Sequence, residues 1–295
     1  MCIMTNDLVP LGLFCEDNLA LLRRMPDNCV DLVYIDPPFN TGKVQTMRRI
    51  RLGEGSGSRT GFMGRTYAYS EVSNHSYRDD MPLDDYLAFL AERLEQIHRV
   101  LKPTGSLYLH LDWNVVHYAR FMLDDIFGGP QQFLNEIIWS YDYGGRARDK
   151  WARKHDNILW YRKGDSHTYN RDAIDRLPYM APELVGPEKA AIGKLPTDVW
   201  QMTIVPTNSR ERTGYPTQKP MKLVERIVKA SSNPGDVVAD FFVGSGTLAL
   251  AAVKHGRRYL ACDINPEAIR ITSERLAGVQ PTLEDDQLCL DGTTS

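Results

Sequence analysis

The sequence predicts an α/β fold in which a parallel-rich sheet is covered by helices on both faces. Short apolar runs typical of buried strands alternate along the chain with segments whose apolar residues recur at helical spacing. With 295 residues and 42% apolar content, the chain can bury a substantial core as one domain with an inserted lobe.

The first half of the chain begins with this alternation. Asp17 is expected to cap a helix that runs to about residue 25. A second helix is predicted over 83–101 from its apolar spacing, with Lys102-Pro-Thr-Gly105 as its end, and a third over 115–126. Strands are predicted at 11–14, 30–35, 106–112, 135–141 and 157–161.

The second half continues the pattern. Strands at 236–240 and 259–263 flank a helix predicted over 248–254. Asn265 is expected to cap the last helix, and Gly278 to end it.

The turn Asp36-Pro37-Pro38-Phe39 follows the strand at 30–35 and offers what methylation of an aromatic amino group requires. The amino lone pair of adenine or cytosine is delocalised into the ring, so the nitrogen is a poor nucleophile. The carboxylate of Asp36 and the backbone carbonyl of Pro37 can accept the amino hydrogens, which favours a more nucleophilic nitrogen. The prolines stiffen the turn, and Phe39 gives the base a stacking surface. Because these residues alone signal only the end of a strand, this interpretation depends on a cofactor site elsewhere.

A glycine-containing turn at 241–247 supplies that site. A strand, a Gly-x-Gly turn and a helix bring a nucleotide-like ligand close to backbone N–H groups. Asp263 ends the next strand roughly 20 residues after Asp240, where an acid can accept hydrogen bonds from both ribose hydroxyls. Any doubly wound domain can contain a lone Gly-x-Gly, but two acids at matching strand ends favour a nucleotide-type cofactor.

Together these motifs resemble those of the amino-group DNA methyltransferases, which make N6-methyladenine or N4-methylcytosine from S-adenosylmethionine. The family's catalytic Asp-Pro-Pro-aromatic motif is matched by Asp36, Pro37, Pro38 and Phe39. Its cofactor motif is matched by Asp240, Phe242, Gly244, Ser245, Gly246 and Thr247, with Phe241 in place of the usual proline. The catalytic motif precedes the cofactor motif, as in the group called beta, and the resemblance covers roughly residues 10–278.

The resemblance implies a circularly permuted, Rossmann-like methyltransferase fold that binds S-adenosylmethionine and flips a base out of the duplex. Pro216-Thr-Gln-Lys-Pro220 is similar to another cofactor-side motif of the family, so Thr217 and Lys219 are expected to contact the methionine end of the cofactor. Asp17 resembles the acid that follows the first strand and approaches the cofactor.

The resemblance leaves the target base open. Asp36 at the first motif position favours N6 of adenine, since serine is commoner among cytosine-N4 enzymes, and N4 of cytosine stays the alternative. RNA or protein amino groups are more remote substrates, because the cofactor motif normally comes first in those enzymes. A non-catalytic DNA-binding subunit would not need both motifs. Methylation at C5 of cytosine needs a cysteine after a proline, and none of the five cysteines follows one.

Two basic segments are candidate DNA contacts in a chain whose net charge of −3 argues against global attraction to nucleic acid. A glycine–serine stretch predicts a mobile loop over about 43–80, which could close over DNA or be a solvated insertion. Its candidate phosphate contacts are Arg48, Arg49 and Arg51. Residues 143–154 interleave basic groups with aromatic residues, which suits phosphates and unstacked bases. The candidates there are Arg146, Arg148, Lys150, Arg153 and Lys154.

The motif order divides the chain into four parts. The catalytic half is expected at 1–163, a target-recognition segment at 164–200, the cofactor-binding half at 201–278 and a loose tail at 279–295. Candidate anchors of the recognition segment are Tyr169, Tyr179 and Trp200. His110 and Asp112, at a predicted strand end, could line the base pocket or have a structural role.

The amino-acid composition bears on metal binding, membrane insertion and cellular location. The cysteines lack metal-like spacing, so no metal site is expected, and their pattern suits reduced thiols in a cytoplasm. Neither a membrane-spanning segment nor a signal peptide is expected. We therefore expect a soluble cytoplasmic enzyme that binds double-stranded DNA, and the resemblance adds a cognate restriction endonuclease and a homodimer as candidate partners.

Overall fold

A computed structural model describes residues 9–39, 43–60, 66–79, 81–144 and 146–279, and describes the strands at 43–60 and 66–79 by their backbone alone. The helices are α1 Asn18–Arg24, α2 Leu83–Val100, α3 Val116–Ile126, α4 Pro187–Ile192, α5 Met221–Ser231, α6 Thr247–Lys254 and α7 Pro266–Ala277. The strands are β1 Gly12–Cys15, β2 Val30–Ile35, β3 Lys43–Thr60, β4 Thr66–Asp79, β5 Leu101–Leu111, β6 Phe133–Ser140, β7 His155–Arg162, β8 Val199–Gln201, β9 Val237–Asp240 and β10 Arg258–Asp263.

Eight strands form one sheet in the order β1-β10-β9-β2-β5-β7-β6-β8. The pairs from β1 to β5 are parallel, β7 is antiparallel to both β5 and β6, and β8 is parallel to β6. β9 and β10, from the end of the chain, lie between β1 and β2, as expected of a permuted α/β sheet. This topology brings the carboxyl ends of β1, β10, β9, β2 and β5 to one edge, together with the start of β7 and the ends of β6 and β8.

The core lies on both faces of the sheet, as the alternation in β2 illustrates. Val33 and Ile35 pack into a cluster with the apolar residues of α1, α2 and α3, whereas Leu32 and Tyr34 pack on the other face with those of α5 and α6. Successive side chains of a strand point to opposite faces, so this apolar run is buried on both sides. The predicted helices on both faces are therefore confirmed.

The local signals at helix ends behave as predicted. The Asp17 side chain accepts a hydrogen bond from Ala20 N at 3.1 Å, and the Asn265 side chain accepts one from Glu267 N at 3.0 Å. One boundary differs: α2 ends at Val100, and the turn predicted at 102–105 lies within the first part of β5. The pairing of β2 with β5 is irregular there, with a register shift between Val30 and Leu32.

The segment predicted as a loop over about 43–80 contains a two-stranded antiparallel sheet of β3 and β4 instead. Its sequence is rich in β-branched and aromatic residues, which favour strands, including Val44, Thr46, Tyr67, Tyr69 and Tyr77. The glycine–serine stretch is accommodated at a register shift between Leu52 and Gly57. The predicted loop is therefore wrong over β3 and β4, where strand propensity outweighs the glycine–serine stretch and the charge.

Residues 164–200 contain α4, short 3₁₀ helices and an isolated bridge between Leu177 and Lys194. Of the predicted anchors, Trp200 is buried in β8, and Tyr169 lies with its ring centroid 5.6 Å from that of Trp160. Across the described part of the chain, no helix has the length and apolar character needed to cross a membrane.

Candidate functional site

The edge formed by the carboxyl ends of the parallel strands carries an acidic residue just after β1 and β2 and at the ends of β9 and β10. These residues, Asp17, Asp36, Asp240 and Asp263, line one cavity of about 290 Å³, called here the first cavity. The structure thus brings together most of the residues predicted to form the site. The other predicted residues that line this cavity are Pro37, Pro38, Phe39, Thr217, Lys219, Phe242, Gly244, Ser245 and Thr247.

The Asp36 carboxylate has two oxygens in different surroundings. The Lys219 ammonium forms an ion pair with Oδ2. Among the described residues, Oδ1 has no hydrogen-bond partner although it is buried. A buried acceptor without a partner costs free energy, so this oxygen is available for a donor that enters the cavity.

The glycine turn between β9 and α6 is held by the two acids predicted to serve the cofactor. Asp240 Oδ1 accepts a hydrogen bond from Phe242 N at 2.9 Å, and Asp263 Oδ2 accepts one from Gly244 N at 2.9 Å. Burial raises the pKa of Asp240 well above its ordinary value, and burial also raises the pKa of Asp263. A cation in the first cavity would therefore stabilise both carboxylates.

Gly246, which the motif predicts at the cofactor, is absent from the lining of the first cavity and lies close to α7. Its φ is +77°, and a Cβ added there would lie 2.5 Å from both Cγ2 and Oγ1 of Thr272 in α7. Gly246 therefore allows α6 to begin in close contact with α7. Gly244, in contrast, lines the first cavity and faces the ring of Tyr215.

Asp17 lines the first cavity and also caps α1. Two residues beside it, Asn18 and Arg93, were not predicted to belong to the site. Arg93, a buried arginine of α2, donates to Asp17 Oδ2 at 3.1 Å and to Asn18 Oδ1 at 2.7 Å. Asn18 Nδ2 in turn donates to Phe241 O at 2.7 Å. One sequence signal could have identified Arg93, because it falls on the buried face of α2 between Leu90 and Ile97.

Lys219 lines the first cavity as predicted residues of the site do, and its ammonium makes contacts that its motif does not imply. Its ammonium pairs with Asp36 and lies 4.9 Å from the centroid of the Phe39 ring. Its backbone carbonyl accepts a hydrogen bond from Thr247 Oγ1 at 3.2 Å. Thr217 lines both the first cavity and a neighbouring one.

That neighbouring cavity, called here the second cavity, has a volume of about 390 Å³ and shares Phe39, Tyr215, Thr217 and Lys219 with the first. It opens at the ends of β5, β6 and β8 and the start of β7. Its aromatic walls come from Phe39, Trp113, Trp139, Tyr141 and Tyr143, and Asp112 and Asp156 also line it.

A buried polar network lies beneath Phe39. His110 Nδ1 and Tyr34 Oη are hydrogen-bonded at 2.8 Å, and His110 Nε2 lies 3.2 Å from Asp156 Oδ2. Tyr141 Oη donates to Asp156 Oδ1 at 3.1 Å. Burial acts to raise the pKa of Asp156, but hydrogen bonds and charge from His110 hold it below its ordinary value. His110 and Asp112 were the two residues that the sequence suggested for the base pocket. The ring centroids of His110 and Phe39 lie 5.8 Å apart, and Asp112 lines the second cavity.

The basic segment at 146–154 runs beside the second cavity. Arg146, Arg148 and Lys150 are exposed. Trp151, which follows them before β7 begins, is 94% exposed. Arg153 stacks on Trp113, with its guanidinium carbon 3.2 Å from the ring centroid, and Lys154 Nζ donates to Asp142 O at 2.7 Å. The other predicted contacts, Arg48, Arg49 and Arg51, fall in β3, and their side chains lie outside the described part.

Comparison with known proteins identifies relatives over most of the chain. A family model for N6 and N4 enzymes, described as DNA methylase, matches residues 30–274. The type II methyltransferase M.HpaI of Haemophilus parainfluenzae is 33% identical over 266 residues, which cover 90% of this chain and 73% of that protein. The DNA adenine methyltransferase YhdJ of Escherichia coli K12 is 31% identical over 274 residues, which cover 88% and 80%.

Solved structures share the fold. The cytosine-N4-specific PvuII DNA methyltransferase aligns with a TM-score of 0.58 at 16% identity and covers 90% of this chain and 86% of its own. TTHA0409 of Thermus thermophilus, crystallised with S-adenosyl-L-methionine, aligns with a TM-score of 0.55 at 19% identity and covers 91% and 93%.

Proposed function

Because this chain belongs to the DNA methylase family that contains the N6-adenine and N4-cytosine methyltransferases, we propose that it transfers a methyl group from S-adenosyl-L-methionine to N6 of adenine in duplex DNA. The observation that carries this proposal is the Asp36 carboxylate, whose buried, unpartnered Oδ1 belongs to a residue that lines the first cavity.

The residues of the first cavity fit S-adenosylmethionine, which supplies an electrophilic methyl group on a sulfonium. Asp263 would hold the ribose hydroxyls, because each carboxylate oxygen retains lone pairs beyond the bonds from Gly244 and Asn265. Asp17 provides negative charge for a cationic ligand, Asp240 holds the glycine turn through the bond from Phe242 N, and Phe242 provides apolar surface. Gly244 lets backbone line the cavity without a side chain. TTHA0409, a relative by fold, was crystallised with this cofactor.

Asp36 and the turn around it would activate the base. The free Oδ1 can accept one amino hydrogen, and the Pro37 carbonyl is proposed to accept the other. The methylated nitrogen would then release its proton to Asp36 or to water. Much of the acceleration would come from alignment of the amino nitrogen, since orientation alone is worth several kcal/mol.

The second cavity is the proposed site of the flipped base. It shares Phe39 with the first cavity, so a base stacked on this ring lies beside Asp36. Flipping costs a few kcal/mol, which stacking on aromatic side chains and phosphate contacts can offset. Arg146, Arg148, Lys150, Arg153 and Lys154 are the proposed phosphate contacts of the described chain.

Adenine is favoured over cytosine by two observations. Aspartate occupies the first position of the catalytic motif, as in the adenine members that the sequence resembles, and the adenine methyltransferase YhdJ is 31% identical. N4 of cytosine remains the second candidate, because the same two acceptors serve both amino groups.

Finer assignments rest on analogy with relatives. The type II relative M.HpaI supports a role in restriction–modification with a cognate endonuclease. We also propose that residues 164–200 read the target sequence, since they expose apolar side chains at Met180, Leu184 and Ile192. A homodimer and a cytoplasmic location complete the proposal.

The test is identification of the methylated nucleoside. The purified protein is incubated with mixed-sequence duplex DNA and isotopically labelled S-adenosylmethionine, and the DNA is digested for mass spectrometry. The proposal predicts label on N6-methyladenine. Label on N4-methylcytosine would refute the adenine assignment, and label on RNA or protein, or on nothing, would refute the DNA methyltransferase activity.

A further inference from the structure

Lys219 is a buried cation at the boundary between the two cavities. Its side chain is 9% exposed, and its ammonium pairs with Asp36 Oδ2 above the face of the Phe39 ring. A buried ammonium is costly unless it is paired, so the carboxylate and the ring hold it in one place. The same contacts hold Asp36 and Phe39 in turn.

The pairing makes the two oxygens of Asp36 inequivalent. Oδ2 is occupied by the Lys219 ammonium, and Oδ1 is buried without a partner in the described chain. A carboxylate that rotates freely would offer either oxygen in many directions. A carboxylate anchored through one oxygen presents the other in a fixed direction, which is what an acceptor of a target N–H requires.

We propose that Lys219 is a positioning residue, which anchors Asp36 through Oδ2 so that Oδ1 faces the amino group to be methylated. This inference rests on the proposed function and assigns Lys219 to the catalytic carboxylate, in place of the cofactor contact that its motif implies. Lys219 touches neither the methyl group nor the base nitrogen in this role and acts through Asp36.

The backbone of Lys219 couples this anchor to the glycine turn. Thr247, the first residue of α6, donates its hydroxyl to Lys219 O at 3.2 Å. Pro220 follows Lys219 directly and fixes φ at the start of α5. The backbone of Lys219 is thus held by the first residue of α6, which also lines the first cavity.

The charge of Lys219 also balances the acidic site. It lowers the pKa of Asp240 against the dominant effect of burial, and it lowers the pKa of Asp156 on the far side of Phe39. Its direct contact is with Asp36, and its charge acts on the other two carboxylates as a smaller effect than burial.

Kinetic and binding measurements on Lys219→Met separate positioning from cofactor contact. Methionine keeps the length of the side chain and removes the charge, and Lys219→Arg restores the charge. Lys222→Met, at an exposed position of α5, is the matched control. We measure the single-turnover rate of methyl transfer to duplex DNA, and the Kd values for S-adenosylmethionine and for DNA by calorimetry.

The inference predicts that Lys219→Met slows single-turnover transfer on the order of a hundredfold, the loss that a misplacement of about 1 Å can cause. Both Kd values should stay within about threefold of wild type, Lys219→Arg should recover part of the rate, and Lys222→Met should match wild type. A tenfold weaker Kd for the cofactor with an unchanged rate would overturn the inference in favour of a cofactor ligand. An unchanged rate with unchanged Kd values would overturn it as well.

A measurement without cofactor or DNA tests the pairing itself. Thermal unfolding is compared for wild type, Asp36→Asn, Lys219→Met and the double variant. The pairing predicts a double variant whose decrease in Tm is smaller than the sum of the two single decreases. Additive decreases would contradict the pairing. If wild type methylates no DNA, the proposed function fails, and this cycle still decides whether Lys219 holds Asp36.

Discussion

Replacing Gly246 with alanine should destabilise the protein through two separable effects. The φ of +77° costs a residue with a Cβ about 1–2 kcal/mol. The new Cβ would also lie 2.5 Å from Cγ2 and Oγ1 of Thr272, and relief of such an overlap typically costs about 1–3 kcal/mol. We therefore expect Gly246→Ala to lower the free energy of unfolding by about 2–5 kcal/mol.

Gly256 offers a matched control. Its φ is +70°, but the nearest atom to an added Cβ is Pro234 Cβ at 3.8 Å, which is ordinary contact. Gly256→Ala should therefore lose only the conformational part, about 1–2 kcal/mol. Urea denaturation of both variants measures the difference, which reports the approach of α6 to α7.

A third variant tests the cause. Thr272→Ala removes both atoms at 2.5 Å, so it should restore part of the stability when it is combined with Gly246→Ala. Equal losses for Gly246→Ala and Gly256→Ala, or no recovery in the double variant, would refute the close approach as the reason for glycine at this position.

Arg93, Asp240 and the basic segment at 146–154 can each be tested by substitution. Arg93→Met leaves Asn18 Oδ1 without its donor and removes the ion pair with Asp17, so it should lower the free energy of unfolding by about 1–3 kcal/mol. Arg24→Met at the exposed pair with Glu16 should lower it far less, and equal shifts of the thermal midpoint would contradict this. Burial raises the pKa of Asp240, so the unfolded chain releases this proton first and the folded state loses stability as pH rises above about 4. The urea midpoint of Asp240→Asn should therefore rise relative to that of wild type between about pH 4 and neutrality. A difference between the two midpoints that does not change with pH would contradict this. Replacing the exposed Arg146, Arg148 and Lys150 with glutamine should leave cofactor affinity unchanged and weaken the salt dependence of binding to duplex DNA. The slope of log K against log salt, measured by fluorescence anisotropy, should decrease by about 0.9 for each phosphate that is no longer neutralised. An unchanged slope would show that this segment does not contact DNA phosphates.

Short-range signals made most of the fold predictable. The apolar run Val30–Ile35 matches β2, and the apolar spacing from Leu83 matches α2 to within one residue. Asp17 and Asn265 cap the helices they were expected to cap. These features depend on neighbours a few residues apart, so the sequence pattern contains the information. The pairing of β3 and β4 was not predicted, because the glycine–serine stretch interrupts the residues that favour strands.

The sequence predicted which residues line the first cavity better than it predicted which of them form contacts with one another. The motifs at 36–39 and 240–247 and the acid at 263 do converge on the first cavity. The pairing of Lys219 with Asp36 joins residues 183 positions apart, and no local pattern encodes which carboxylate a distant cation reaches. The hydrogen bonds of Arg93 to Asn18 are likewise set by the packing of α2 on α1.

The central claim is that Asp36 accepts a hydrogen bond from the target amino group and does not hold the cofactor. Its most direct test is Asp36→Ala, measured for S-adenosylmethionine affinity and for single-turnover methyl transfer to duplex DNA in the same preparation. We predict wild-type cofactor affinity within about threefold and a loss of transfer of at least about a thousandfold, since the electrostatic partner of the reacting nitrogen is removed. Transfer at the wild-type rate, or loss of cofactor binding together with transfer, would contradict the claim.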